Sequence, residues 1–449
     1  MIRFEPHLAS IPCSTVLAIA LISPDSAYAE SNFGCSGLEI DNEIPSLEGK
    51  DGVFFRINTD IRMNHPFSDH SVAYVAELSR TLAAQGTTLV YVPIPTKSVT
   101  MPDHLPPEAA LYGFDLDLAI AVHDDVLNRL NAAGVMTVDA REAMLKTSDG
   151  ELPFFKADFH WSAAGARETA RAIADVITAH PTYEELETTA FETMPLEVDI
   201  AFSGMRRDLQ EHCLDTLPEA ETMTYQTMQV ESLDLAGGDL DLFGDEDSSI
   251  PIALLGTSFS DSEINNFPGF LAQYSSLEVV DYALTGGNQF GAMISYLTST
   301  EFHENPPRFL VWENPIYTNL AQYGDQPMRE LIAAAGPNCT IPLAPQMNAD
   351  DTAFRVDLTS LAFGPEDTLF VDLNQSAGTR VEFSFVSDEG LTRRKIIERG
   401  ERLTRTGRFY MPLSGLWPNG AVTVDISTLG EFYTEPSVFI CTTKTKEEI

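Results

Sequence analysis

The sequence predicts an α/β domain, with a mainly parallel sheet covered by helices on both faces, followed by an all-β sandwich. Two observations predict it. From about residue 69 helical and extended patterns alternate, which is the pattern of strands crossed over by helices. After "GPNCT" (336 to 340) helical periodicity stops, and short extended runs separated by turn residues continue to the end. Such spacing belongs to antiparallel sheets stacked face to face.

In order, "DHSVAYVAELSRTLAAQG" carries apolar residues at helical spacing and ends on Gly86, so it reads as a helix with a glycine stop. "TTLVYVPIP" is a β-branched and aromatic run stopped by prolines, a buried strand. "LDLAIAVHDDVLNRLNAAG" and "VMTVDA" repeat the helix and the strand. "SAAGARETARAIADVITAH" is a long helix and "IPIALLG" a strand. "LEVVDYAL", "QFGAMISYLTST" and "RFLVWENP" read strand, helix, strand. Beyond 340, "FRVDLTSLAF", "TLFVDLNQS", "TRVEFSFVS", "TRRKIIERG", "GRFYMPL", "AVTVDIS" and "SVFICTT" supply the strands of the sandwich. Residues 181 to 248 are acidic and turn-rich and carry no clear element. Within them "GGDLDLFGDEDSS" brings a calcium loop to mind but lacks EF-hand spacing, so it reads as an acidic surface loop and no metal site is expected.

The chain of 449 residues has a formal net charge of -40 and a pI near 4.3. Nucleic acid is excluded as a partner, because phosphate binding needs basic surface. The N-terminus reads as a cleaved secretory signal over residues 1–29. Arg3 is the positive residue, "STVLAIALI" the apolar core and Ala27-Tyr28-Ala29 the small residues before the cut. The apolar stretch is short for a membrane anchor. The expected divisions are therefore 1–29, an α/β domain over 30–338 and a sandwich over 339–449. Removing the signal removes Cys13 and leaves Cys35, Cys213, Cys339 and Cys441. An even number in an exported chain suggests two disulfides. Three pairings are open, and Cys35–Cys213 with Cys339–Cys441 is favoured because each then lies inside one domain.

Two short stretches carry chemistry. "KADFHWSAAG" places Asp158 two residues before His160, and "ALLGTSFSDS" ends a predicted strand at Gly256, Thr257 and Ser258. A serine hydroxyl is a weak nucleophile that needs a base, and the base is usually oriented by a carboxylate. Ser258 would sit at the carboxyl edge of the sheet, where open α/β sheets bind ligands, before a possible helix and with backbone N–H groups near an oxyanion. The competing readings are ordinary. Ser258 would cap a helix, His160 would be a satisfied core histidine, Asp158 would be a helix cap, although Ser162 suits that role better, or the pair would bind metal, although no further His or Cys lies at ligand spacing. Trp161 would wall off the site. A third stretch, residues 393 to 408, holds Arg393, Arg394, Lys395, Arg399, Arg402, Arg405 and Arg408, seven of the 27 basic residues. A charge run is usually a solvated strand face. The alternative is a groove for an anionic polymer, since arginine matches carboxylates bidentately, with Phe409 and Tyr410 stacking on sugars.

"EGKDGVFFRINTDIR" (48 to 62), "VYVPIPTKS" (90 to 98), "DFHWSAAGA", "ALLGTSFSD", "FLVWENP" and a β module ending in cysteine occur in this order. The chain resembles the alginate O-acetyltransferase family of the AlgX/AlgJ type. That resemblance implies an SGNH-hydrolase-like domain with a carbohydrate-binding module. It implies Ser258 as nucleophile, His160 as general base and Asp158 as its orienter, and transfer of acetyl groups to an exported polysaccharide, alginate or a similar polyuronate. It also implies a periplasmic location, no cofactor, a membrane-associated partner that donates acetyl groups, and a polysaccharide export complex. A carbohydrate acetylesterase and a non-catalytic polysaccharide-binding subunit are the alternatives.

Overall fold

The computed structural model describes residues 31–442, apart from 64, 66, 231–249, 337–338, 350–351, 360–363, 375–377 and 429–434. The signal segment and the run "GGDLDLFGDEDSS" lie outside the described residues. In the first part the strands are β1 (Ser46–Glu48), β2 (Phe54–Arg56), β3 (Thr88–Ile94), β4 (Met136–Thr137), β5 (Phe191–Ile200), β6 (Glu221–Gln229), β7 (Ile252–Leu255), β8 (Val279–Asp281) and β9 (Phe309–Pro315). The helices are α1 (Asp69–Ala83), α2 (Lys97–Thr100), α3 (Leu116–Ala132), α4 (Ala140–Met144), α5 (Ala163–Thr178), α6 (Gly204–Gln210), α7 (Phe267–Ser275), α8 (Gly291–Leu297), α9 (Thr300–Glu304) and α10 (Gln326–Ala335).

A five-stranded sheet in the order β4-β3-β9-β7-β8 is parallel throughout. Its central strands β3 and β7 are almost wholly apolar because both faces are covered. Side chains alternate between the faces. Leu89, Tyr91, Ala253, Leu255, Leu310 and Trp312 pack with α1, α8 and α10 on one side. Val90, Val92, Ile252, Leu254, Phe309 and Val311 pack with α5 and α7 on the other. The stripe Val72, Val75, Leu78 and Leu82 turns α1 toward the sheet, and Ser68 caps its first turn.

The remaining strands are β10 (Cys339–Leu343), β11 (Pro345–Met347), β12 (Ala353–Asp357), β13 (Thr368–Asp372), β14 (Arg380–Val386), β15 (Thr392–Glu398), β16 (Arg408–Pro412), β17 (Thr423–Thr428) and β18 (Ser437–Cys441). They form two antiparallel sheets, β10-β18-β13-β16 and β11-β12-β17-β14-β15. Phe354, Phe383, Phe385 and Ile426 from one meet Leu369, Phe409, Met411 and Ile440 from the other, as in a sandwich. The disulfides are Cys35–Cys213 and Cys339–Cys441; the second joins residues paired in register on β10 and β18.

The sandwich docks on the α/β part through its four-stranded sheet. Along β16, Phe409 and Met411 face the sandwich core, while Tyr410 between them faces Met328, Leu331 and Ala335 of α10. At this seam Arg399 meets Glu330 through two hydrogen bonds, one of them 3.0 Å long. Both side chains are buried. This corrects the basic-run expectation for several residues. Tyr410 and Phe409 are buried, and Arg399 is consumed by Glu330. Arg408 pairs with Asp372 opposite it on β13 and donates to the carbonyl of Ser299. Lys395 donates to the carbonyl oxygens of Pro412 and Ser414. Arg393 and Lys395 lie on one face of β15 and Arg394 on the other, where Arg394 pairs with Glu382. Consecutive strand residues cannot share a face, so the run builds no single groove. Arg393 over the Trp417 ring, Arg394, Arg402 and Arg405 remain exposed.

Candidate active site

The segment 153 to 162 doubles back on itself. Phe155 N–H donates to the carbonyl of His160, Ser162 N–H to that of Pro153, and Phe154 bridges Trp161. The tip of this turn holds Asp158 and His160. Asp158 Oδ1 accepts the backbone N–H of His160 and lies 2.7 Å from the ring Nδ1 of the same residue. A carboxylate that binds the N–H two residues on is a common turn-former. Here that turn also aims the imidazole, which explains the spacing of two. Ser162 caps α5 through the N–H groups of Ala164 and Gly165, which leaves Asp158 to His160.

On the far side of the ring, His160 Nε2 is 2.7 Å from Ser258 Oγ. With Nδ1 protonated toward Asp158, Nε2 offers its lone pair to the Ser258 hydroxyl. The structure therefore brings Asp158, His160 and Ser258 into one hydrogen-bonded line. Asp158 is buried and His160 is 21% exposed, so the acid is shielded while the ring reaches solvent. Burial alone would raise the Asp158 carboxyl, but hydrogen bonds from His160 and Ser203 and the nearby imidazole outweigh it and hold the group below the ordinary carboxylate value.

The Ser258 turn differs from the expected strand-to-helix junction. Ser260 and Asp261 N–H both donate to the carbonyl of Thr257, a short 3₁₀ turn follows at Glu263–Asn265, and α7 starts only at Phe267. The turn rests on Glu313 of β9 instead. Its carboxylate accepts the Thr257 N–H at 2.7 Å, the Thr257 hydroxyl and the Ser260 hydroxyl. Glu313 is wholly buried; burial pushes its carboxyl up to about 7, against the hydrogen bonds from Thr257 and Ser260. Gly256 makes room for it, since a Cβ there would lie 2.4 Å from Glu313 Oε2. Trp161 does not line the site as expected. It is fully buried and donates its indole N–H to the carbonyl of Phe259, which ties the histidine turn to the serine turn.

Two neighbours of this line had little sequence signal. Ser203, the N-cap of α6, donates to the second oxygen of Asp158 at 2.5 Å, yet it lies in the segment that showed no pattern. Glu313 did leave a trace, as an ionisable residue inside the apolar strand "FLVWENP". Hydrogen bonds to charged groups contribute about 1.5–3 kcal/mol. Ser203→Ala is therefore expected to lower kcat for a chromogenic acetyl ester at least about tenfold, with KM little changed, and Ser203→Thr to recover part of it. Steady-state kinetics of the two variants checks this.

Comparison with known proteins places the fold. Residues 47–316, more than half of the chain, match the family described as SGNH hydrolase-like domain, acetyltransferase AlgX. The alginate biosynthesis protein AlgX of Pseudomonas aeruginosa is 28% identical over 311 residues, covering 69% of this chain and 63% of that protein. The match thus spans less than two thirds of that relative's length. The probable alginate O-acetylase AlgJ of the same organism is 28% identical over 314 residues, 64% of this chain and 75% of that protein. The solved structure of Pseudomonas aeruginosa AlgX superposes with a TM-score of 0.74 at 22% identity, over 88% of this chain and 94% of that one, which shows a shared fold across both parts. The parallel sheet, the docked sandwich and the matched domain lead to one conclusion: the chain belongs to the AlgX family of SGNH hydrolase-like acetyltransferase domains.

Proposed function

We propose that this protein transfers acetyl groups through Ser258 onto hydroxyl groups of an exported polysaccharide, alginate or a similar polyuronate. The observation that carries the reading is the continuous line Asp158–His160–Ser258 inside a domain of this family. His160 takes the Ser258 proton as Oγ attacks the acetyl carbonyl of a donor, and returns it to the leaving group. A sugar hydroxyl then repeats the exchange in reverse and leaves acetylated. The N–H of Thr257 is held by Glu313, that of Phe259 by the Thr257 hydroxyl, and those of Ser260 and Asp261 by the Thr257 carbonyl. Among the described hydrogen bonds of this turn none takes the Ser258 N–H, which would stabilise the acyl oxygen.

In this reading the protein works in the periplasm. The two disulfides fit an oxidising compartment, and among the described residues no helix is long and apolar enough to cross a membrane. Acetyl groups would come from a membrane-associated partner and the acceptor from an export complex. Of the basic run, the exposed Arg393, Arg394 and Arg405 would meet an anionic polymer singly and from different faces rather than as one groove.

Mass spectrometry of an oligouronate incubated with the protein and an acetyl ester tests the reading. Acetylated oligouronate is expected. Hydrolysis of the donor with an unchanged acceptor would mark an acetylesterase. Reaction of neither would mark a polymer-binding subunit.

A further inference from the structure

The triad leaves two segments of the family resemblance without a role, "EGKDGVFFRINTDIR" and "VYVPIPTKS". Both converge on one side chain. Lys97 follows β3 in the turn α2 and is 1% exposed. Its ammonium donates to the carbonyl of Phe54 at 2.9 Å, of Lys156 at 2.7 Å and of Asp158 at 2.9 Å. An ammonium has three protons, and each has an acceptor here. One acceptor belongs to β2, and the other two lie on the segment that carries Asp158 and His160, one of them on Asp158 itself. Phe54 N–H also donates to the Lys156 carbonyl. The adjacent Ser98 hydroxyl donates to the carbonyl of Asp60, and Asp60 holds Arg56 through its backbone N–H and guanidinium.

A lone buried cation is costly unless it is fully hydrogen-bonded. An apolar residue here would leave all three carbonyl oxygens without this donor, and two of the three belong to the segment that carries Asp158 and His160, so the cation's hydrogen bonds bear directly on that turn. We propose that Lys97 is a positioning residue for the triad: its ammonium fixes the backbone of the Asp158–His160 turn against β2, and loss of its proton releases that turn. The proposal rests on the triad reading above and adds a group whose ionisation controls the geometry of the base.

The direction with pH follows. Burial pushes the Lys97 ammonium down to about 7 from its ordinary value, with Arg56 on β2 adding to the push. Asp60, just beyond β2, and Asp158 on the turn oppose it, and the three carbonyl dipoles oppose it further. As pH rises through this group's titration the ammonium becomes an amine with two N–H donors for three carbonyls. One acceptor is then left unmet in a dry site, and the turn that aims His160 loosens. Activity falls on the alkaline side.

Hydrolysis of p-nitrophenyl acetate across pH tests this. Lys97→Met, which keeps the side-chain length and removes the donors, is expected to lower kcat about 10²-fold, the scale of an ångström-sized misplacement, with KM within about twofold. The alkaline limb of the pH profile should disappear and the acid-side limb should stay. A folded Lys97→Met with the parent kcat, or with the parent alkaline limb, would overturn the proposal. Should that variant fail to fold, the unaltered protein gives the answer. The downfield proton resonance of His160 Nδ1–H, assigned by its loss in Asp158→Asn, is expected to shift or broaden across the alkaline limb. A resonance unchanged over that range overturns the proposal. The underlying reading fails by a different result, ester hydrolysis surviving in a folded Ser258→Ala, and that result takes this proposal with it.

Discussion

Replacing Ser258 with alanine is expected to lower kcat for a small acetyl ester by about 10⁶-fold, the scale seen when a serine protease loses its nucleophile. The circular dichroism spectrum should not change, because the side chain is only half-buried and, among the described residues, hydrogen-bonds to His160. His160→Ala should cost about as much, and the double variant little more than either one. Groups that act as a unit are non-additive, since the first loss already removes what the second would remove. Asp158→Asn should slow turnover by about 10⁴-fold if the carboxylate sets the ring tautomer. Its carboxylate also holds the His160 N–H and the Ser203 hydroxyl, so this variant should loosen the turn as well. Additive losses, or turnover that persists in a folded Ser258→Ala, would take the serine out of the mechanism.

The second large effect concerns stability. Glu330→Ala should destabilise the protein by about 3–5 kcal/mol, because it leaves the Arg399 guanidinium buried without its counter-ion. Glu330 also accepts the backbone N–H of Tyr410, so the same change strips a donor on β16 of its partner. Arg399→Ala should cost a similar amount for the mirror reason. Replacing both with leucine and methionine should recover most of the loss, since a buried ion pair is often matched by apolar residues of similar volume. Urea denaturation of the three variants gives the comparison. Equal stability of Glu330→Ala and the parent would show that the seam is not held by this pair.

The parallel sheet was legible because its strands are buried on both faces and so read as unbroken apolar runs, as in "TTLVYVPIP". The sandwich was legible from short runs whose alternation matches a one-sided core, as along β14, where Val381, Phe383 and Phe385 point inward. The hairpin of β5 and β6 was not. "TMPLEVDI" does alternate, but Pro195 argues against a strand, and the apolar members point outward: Leu196 is 57%, Val198 59% and Ile200 53% exposed. Alternation normally marks a buried face, and here residues 194 to 200 are exposed on both faces. The spacing of Asp158 and His160 was readable, whereas their supports were not. Ser203 reaches Asp158 from a helix start 45 residues away in sequence. The basic run misled for the same reason, since the partners Glu330 and Asp372 sit on elements that only the fold brings near.

The seam between the two parts bears on how such a chain can be rearranged. Tyr410 and Cys441 belong to the same apolar cluster as α1, α8 and α10, so the boundary near residue 339 divides the chain but not the core. Arg402 adds a polar clasp: its guanidinium donates to the carbonyl of Thr285 and lies against Gly286, where any Cβ would approach it to 3.1 Å. Thr285 N–H in turn is bound by Asp261, three residues after Ser258. A graft that exchanged only the sandwich would therefore strand Glu330, uncover Leu331 and release the loop beside the nucleophile. Because α10 also covers the parallel sheet beside α1, the seam has no clean cut on either side of this helix, and a graft must rebuild the α10 face and bring a partner for the 285–286 loop.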